Sequence, residues 1–102
     1  MVNYFMSKKV RLQKIEGIIL PLLKRNSVVQ AGIFGSFARG EETKKSDIDV
    51  LVKFGKRKSL LDLVRLEREL KKATGRKVEV LTYKSIHPLL KERILKEEVR
   101  IL

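Results

Sequence analysis

Cysteine is absent from this sequence of 102 residues, which excludes disulfides, thiolate metal sites and cysteine nucleophiles. No apolar run approaches the length of a membrane span. Residues 1–9 mix charged and apolar side chains and so lack the pattern of a secretory signal. We therefore expect a cytoplasmic protein without a membrane partner. The length suits one core, so residues 1–102 are predicted to form a single domain.

Acidic residues are scarce beside basic ones: 12 against 24, which gives a net charge of +12. Such a charge attracts polyanions, including nucleic acid, nucleotide phosphates and acidic protein surfaces. A surface rich in Lys and Glu is also typical of heat-adapted proteins, so the charge alone leaves both explanations open. Aromatic residues make up only 6% of the chain, which disfavours a nucleic-acid binder that stacks bases on aromatic rings.

Hydrophobic periodicity predicts three amphipathic helices, over residues 8–25, 59–74 and 88–101. Ser7 is the expected cap of the first helix, and Pro21 should kink that helix or divide it into two. Ser59 is the expected cap of the second, with Asp62 as its partner three residues on.

Three strands are predicted between the helices, over residues 28–34, 47–54 and 77–82. A short helical turn at residues 36–40 and a polar loop separate the first two strands. The element order therefore predicts an α/β fold, a small mixed β-sheet flanked by helices.

A glycine-serine pair follows the first strand. Gly35 has no side chain, so a phosphate can approach the backbone there. Ser36 adds a hydroxyl and a backbone N–H at the start of a helical turn, where free N–H groups attract anions. Arg39 follows one turn later and can reach the same phosphates with its forked donors. We expect Gly35, Ser36 and Arg39 to bind phosphate.

Two aspartates open the second strand. Asp47 and Asp49 are two positions apart, so both point to one face, with Cα atoms about 6.6–6.8 Å apart. Mg²⁺ prefers one or two carboxylates together with phosphate oxygens and water. Glu79, in the middle of the third strand, is expected to meet this pair. The predicted site is a metal centre of Asp47, Asp49 and Glu79 beside a phosphate cradle, which suits nucleotidyl or phosphoryl transfer.

Each part of this pattern has an ordinary explanation when taken alone. A glycine-serine pair is common in plain turns, and two aspartates often mark a solvated strand entrance. A lone Arg39 would more often lie on the surface, and a lone Glu79 more often marks an edge strand. Their joint order and spacing are far more specific than any one part, and they favour an enzyme.

Segment 35–40, Gly-Ser-Phe-Ala-Arg-Gly, and segment 46–52, Ser-Asp-Ile-Asp-Val-Leu-Val, together resemble the motif of the DNA polymerase β-like nucleotidyltransferase superfamily. The complete residue sequence of both segments, together with the chain length, restricts the resemblance to the minimal nucleotidyltransferases (MNT). These include the MntA-type antitoxins that are paired with HEPN-domain toxins. The resemblance also covers the last helix, at Pro88, Leu90, Arg93, Ile94 and Glu98, and it spans nearly the whole chain, most strongly residues 35–52.

The resemblance implies the polymerase β-like fold, with ATP as substrate and Mg²⁺, as two ions, as cofactor. It implies that Gly35 and Ser36 hold the triphosphate and that Asp47 and Asp49 hold the metal. Some family members transfer AMP from ATP to a tyrosine of a HEPN toxin, so the implied partner is a HEPN-type toxin. The third carboxylate of the superfamily is commonly Asp. Here it is Glu79, which either still serves as base or ligand or slows the transfer.

Two other functions stay open at this stage. A non-catalytic antitoxin would neutralise its partner by contact alone, through the helix faces of residues 8–25 and 91–100. A basic nucleic-acid-binding domain would use the net positive charge, but its basic residues are scattered along the chain. The sequence leaves open the acceptor, the base of the nucleotide, and pairing with a second copy or with a different chain.

Overall fold

The structure, a computed structural model, describes residues 4–102, with side chains described from Arg11 onwards. Its elements follow in chain order: α1 (Tyr4–Arg25), β1 (Val28–Phe34), α2 (Gly35–Arg39), β2 (Ile48–Phe54), α3 (Leu60–Thr74), β3 (Val78–Thr82), a 3₁₀ turn (Tyr83–Ser85), α4 (Pro88–Glu97) and β4 (Val99–Arg100). The predicted α/β fold class is confirmed, because these helices flank one mixed sheet.

The four strands form one sheet in the order β3-β2-β1-β4. β1 runs antiparallel to both β2 and β4, whereas β2 and β3 are parallel and are joined by the crossover helix α3. The register places Phe34 opposite Asp49, and Asp49 opposite Glu79. Three neighbouring strands therefore carry these residues in one row across the sheet.

The two sheet faces have different neighbours because side chains alternate along each strand. Ile48, Val50 and Val52 of β2 face the main core, which also contains buried residues of α1 and α3. The opposite face of β2 carries Asp49 and Leu51. Leu51 packs with Phe34, Ile86 and Ile94 in a smaller cluster beneath α4. The carboxylates of the sheet are thus on the face that α4 covers.

The helix α3 begins as the sequence predicts. Ser59 accepts a hydrogen bond from the Asp62 backbone, and the Asp62 carboxylate accepts one from the Ser59 backbone at 2.9 Å. This reciprocal cap satisfies two backbone donors that the first helical turn would otherwise leave unpaired.

The structure tests two predictions about the first helix. α1 begins at Tyr4, before Ser7, so the predicted cap is wrong, because Ser7 is inside the helix. Division into two helices at Pro21 is also wrong, since one helix continues past Pro21 to Arg25, and the alternative, a kink, stays a prediction. Ile19 and Leu23, on either side of Pro21, are completely buried against the sheet, and this packing offsets the hydrogen bond that the proline removes.

The last helix was predicted to reach Ile101, but α4 ends at Glu97. Glu98 adopts an extended backbone conformation, and Val99 and Arg100 then pair with Ile33 and Gly32 at the free edge of β1. The edge of β1 supplies unpaired backbone groups, so pairing there replaces the last helical turn.

Candidate functional site

All six residues that the sequence pattern singled out line one cleft of about 440 Å³. Gly35, Ser36 and Arg39 come from α2, Asp47 from the loop residue immediately before β2, Asp49 from β2 and Glu79 from β3. The opposite wall is formed by α4, through Leu90, Arg93, Ile94 and Glu97. The structure therefore brings the phosphate-binding and metal-binding candidates together, and their catalytic roles remain predictions.

Asp47 is held in place by the loop between α2 and β2. The Arg76 guanidinium donates hydrogen bonds to the carbonyl oxygens of Thr43 and Ser46, at 3.1 and 3.3 Å. Arg76 also lies over the Phe37 ring, 5.0 Å from its centroid. These contacts tie the loop to the body of the domain immediately before Asp47. They therefore hold the backbone at Asp47 in position.

Gly35 is required by the close approach of Asp49. The φ angle of Gly35 is +73°, in the left-handed region that favours glycine. A Cβ atom at this position would overlap the Asp49 carboxylate. Any other residue would therefore strain the backbone and push the second aspartate out of the cleft.

Asp49 is in an electrostatically unfavourable position. Partial burial, followed by the nearby carboxylates of Glu79 and Asp47, raises the pKa of Asp49 from 3.8 to about 6. Arg39 lowers this pKa and only partly compensates, while Glu97 raises it further. A cation between the carboxylates would remove this repulsion, because opposite charge favours the ionised form.

Asp47 and Asp49 suit Mg²⁺ as two ligands of a coordination shell that is completed by other groups. Hard carboxylate oxygens are the donors that this ion prefers. Within residues 11–102, no three carboxylates are close enough to form a complete metal cage. Asp47 and Asp49 would therefore supply two ligands, and phosphate oxygens and water would supply the others. Glu79, directly beside Asp49 in the sheet, is available as a further ligand or as a base.

The phosphate-binding candidates already contact a carboxylate of α4. Glu97 accepts hydrogen bonds from the Gly35 backbone N–H at 3.0 Å and from Arg39 at 3.1 Å. Arg39 also pairs with Glu41, at 2.9 Å. Two carboxylates thus neutralise the guanidinium that was expected to meet a phosphate.

Sequence reasoning missed Glu97 and gave no site role to Arg93. Leu90, Arg93, Ile94 and Glu97 follow helical spacing and therefore share one face of α4. That periodicity is a signal for a common face. It does not show which part of the sheet this face meets, because the contact depends on how α4 packs.

A second cleft, of about 530 Å³, is lined by the far ends of β2 and β3 and by the loop after β2. Four of its lining residues are lysines: Lys53, Lys56, Lys58 and Lys84. Among the residues whose side chains are described, none that lines this cleft is acidic. Part of the net positive charge is concentrated here, away from the carboxylate cleft.

Comparison with known proteins agrees with this geometry. Residues 13–101 match the nucleotidyltransferase domain family. A protein of Methanocaldococcus jannaschii named putative protein adenylyltransferase is 55% identical over 93 residues, covering 91% of this chain and 100% of that protein. Protein adenylyltransferase MntA of Thermococcus cleftensis is 34% identical over 94 residues, covering 88% of this chain and 95% of the relative.

A solved toxin–antitoxin structure with AMP-PNP superimposes on the fold with a TM-score of 0.76. The match covers 85% of this chain and 72% of that chain at 22% identity, so it supports the fold. Among the described residues, no helix has the length and apolarity to cross a membrane. The family match and the two relatives together show that this chain belongs to the nucleotidyltransferase domain family, as an enzyme of the minimal, MntA-like type.

Proposed function

We propose that this nucleotidyltransferase is a Mg²⁺-dependent protein adenylyltransferase that moves AMP from ATP to a HEPN-type toxin and thereby acts as its antitoxin. The observation that carries the proposal is the single cleft that joins Asp47, Asp49 and Glu79 to the Gly35–Ser36 backbone. Two relatives bear the name of this activity, and one structural neighbour is a toxin–antitoxin complex with an ATP analogue. The cytoplasm stays the expected compartment.

On this proposal, the α2 side of the cleft binds the triphosphate. Gly35 lets the phosphates approach the backbone, and Ser36 and Arg39 supply donors to them. Asp47 and Asp49 hold the metal, up to two ions, beside the reacting phosphate. When bound, Mg²⁺ supplies charge neutralisation at the phosphate oxygens and orients the triphosphate for displacement.

Glu79 is suited to the acceptor side of the reaction. β3 is an edge strand of the sheet, and Glu79 is exposed there beside Asp49. A hydroxyl of a large acceptor can reach this edge, and the Glu79 carboxylate can take its proton. The acceptor oxygen then bonds to the α-phosphorus, the bond from the α-phosphorus to the bridging oxygen breaks, and pyrophosphate leaves.

The test uses α-labelled ATP, Mg²⁺ and a purified HEPN-type toxin as the partner protein. Label should appear on the partner with the native chain and should be lost with Asp47→Asn and with Asp49→Asn. Glu92→Gln is the matched control, because that carboxylate is 84% exposed and, among the side chains described for residues 11–102, forms its ion pair with Lys96 of α4. Transfer at the native rate by either aspartate variant would refute the assignment.

Neutralisation by contact alone is the second candidate function, and one observation favours it. Leu60 and Leu61 of α3 are each 75% exposed, and Leu89 of α4 is 86% exposed. Exposed leucines are available for a partner without any use of the cleft. If this function holds, the partner will bind equally tightly without ATP and Mg²⁺, and the Asp47→Asn variant will still neutralise it.

A further inference from the structure

The Glu97 carboxylate occupies two of the hydrogen-bond donors that line the proposed phosphate site, the Gly35 backbone N–H and the Arg39 guanidinium. One of its oxygens accepts from the Gly35 N–H at 3.0 Å and from Arg39 Nη1 at 3.1 Å, and the other is 3.2 Å from the same nitrogen. The Glu97 side chain is only 16% exposed, so these contacts are partly shielded from water. They are charge-assisted hydrogen bonds, the stronger kind in proteins.

A phosphate oxygen and this carboxylate oxygen need the same hydrogen atoms. The Gly35 backbone has a single N–H, which cannot serve both acceptors at good geometry. Arg39 is likewise shared between Glu97 and Glu41. A nucleotide that uses these donors must therefore replace Glu97.

Charge in the cleft favours the same conclusion. Glu97 is the fourth carboxylate that lines it, after Asp47, Asp49 and Glu79. A polyphosphate entering beside Glu97 would meet like charge at short range. By contrast, Arg93, one turn earlier on α4, lines the cleft and forms no ion pair with any side chain that the structure describes. Once Glu97 has moved away, this wall of the cleft presents a cation.

We propose that Glu97 is an internal competitor for the nucleotide: it holds the Gly35 and Arg39 donors in the nucleotide-free enzyme and sets the affinity for the triphosphate. The inference rests on the proposed nucleotide site. The protein binds nucleotide in proportion to the fraction of molecules whose Glu97 side chain has left these donors.

The backbone on both sides of Glu97 is anchored, so the competitor is the side chain and not the helix. Ile94, one turn earlier, is buried in the cluster beneath α4. Glu98 accepts a hydrogen bond from the Tyr83 hydroxyl, and Val99 pairs with Ile33 of β1. Rotation of the Glu97 side chain toward solvent frees the donors while α4 stays docked.

The experiment measures binding of AMP-PNP with Mg²⁺ by calorimetry to the native chain and to Glu97→Gln, which keeps the size of the side chain and removes its charge. We expect Glu97→Gln to bind AMP-PNP about fivefold more tightly than the native chain does, which is the size of effect that one partly exposed charged contact has. Glu97→Ala should change affinity in the same direction. Glu92→Gln is the matched control, since Glu92 pairs with Lys96 and does not line the cleft, and it should stay within about twofold of native.

Thermal unfolding with and without AMP-PNP separates competition from a purely structural role. Competition predicts that Glu97→Gln has a larger stabilisation by nucleotide than the native chain, even where its nucleotide-free melting temperature is lower. Equal or weaker nucleotide binding by Glu97→Gln and Glu97→Ala, with the native chain binding normally, overturns the inference and leaves the proposed function intact. If neither the native chain nor any variant binds AMP-PNP, both the inference and the proposed function are refuted.

Discussion

Replacement of Asp49 by Asn should make the nucleotide-free protein more stable at neutral pH while removing its activity. The folded-state pKa of Asp49 is about 6 against an ordinary 3.8, with burial as the main cause and Glu79 and Asp47 next. The raised pKa means that the folded state binds the proton more tightly than the unfolded state does. Stability is therefore higher below pH 3.8 and is lost as the pH rises through about 6.

The difference between the pKa of Asp49 in the folded protein and its ordinary value corresponds to about 3 kcal/mol of folding free energy. Solvent screening of this half-buried carboxylate reduces that contribution to about 1–2 kcal/mol. Asn has nearly the same shape as Asp and carries no charge, so Asp49→Asn should recover this energy above pH 7. For a domain of this size, each kcal/mol changes the melting temperature by roughly 4–8 °C.

The assay is thermal unfolding at pH 7.5 and at pH 4, with divalent ions removed by a chelator. Asp49→Asn should melt several degrees above the native chain at pH 7.5, and the difference should become much smaller at pH 4. Asp62→Asn is the control of opposite sign, because hydrogen bonds from Ser59 lower the pKa of Asp62 and its ionised form caps α3. A native or lower melting temperature for Asp49→Asn at pH 7.5 would refute the electrostatic reasoning.

Variants of the cleft residues Gly35 and Glu79 have further expected outcomes, and Gly17 in α1 serves for comparison. Gly35→Ala should lower the free energy of unfolding by about 1–3 kcal/mol and abolish AMP transfer, because φ is +73° and the new methyl group meets the Asp49 carboxylate. Gly17→Ala, in α1 with open space around its Cβ position, should instead raise the free energy of unfolding by about 0.5–1 kcal/mol. Urea unfolding of the two variants measures both changes in stability. Glu79→Gln should slow labelling of the partner by about 10²–10⁴-fold and leave AMP-PNP affinity within about twofold of native, and a large loss of affinity would make Glu79 a metal ligand and not a base. Glu79→Asp, the residue that is commoner in the superfamily, should slow labelling by about 10²-fold if the carboxylate of this chain is already correctly placed, whereas faster labelling would show that Glu79 limits the native enzyme.

Local signals explain why most of the site could be predicted from the sequence. Alternation along β2 requires Asp47 and Asp49 to share a face, and the isolated charge of Glu79 in an apolar strand indicates the same face of a neighbour. Parallel pairing of β2 and β3 then places Glu79 opposite Asp49. Only the pairing of these strands had to be assumed.

The missed features depend on contacts between distant parts of the chain. β4 is two residues long and exists only because the edge of β1 is available, so no local period distinguishes it from the end of α4. Glu97 meets Gly35 across a separation of 62 positions. Helical spacing placed it on a face with Arg93 and Leu90, but the packing of α4 over Phe34 and Leu51 decides that this face closes the cleft.

The position of the cleft in the sheet explains how so small an enzyme could act on a protein acceptor. On the β1 side, α2 and α4 enclose the phosphate donors, and Glu97 joins these two helices. On the opposite side, β3 is the edge strand of the sheet within the described residues 4–102, and Glu79 is exposed. If the proposed function holds, the nucleotide and the acceptor can approach from different directions and meet at Asp49, which lies between Phe34 and Glu79 in the sheet. A partner that covered the β3 edge without presenting a hydroxyl there would block transfer, so labelling and tight binding report on different contacts of the same complex.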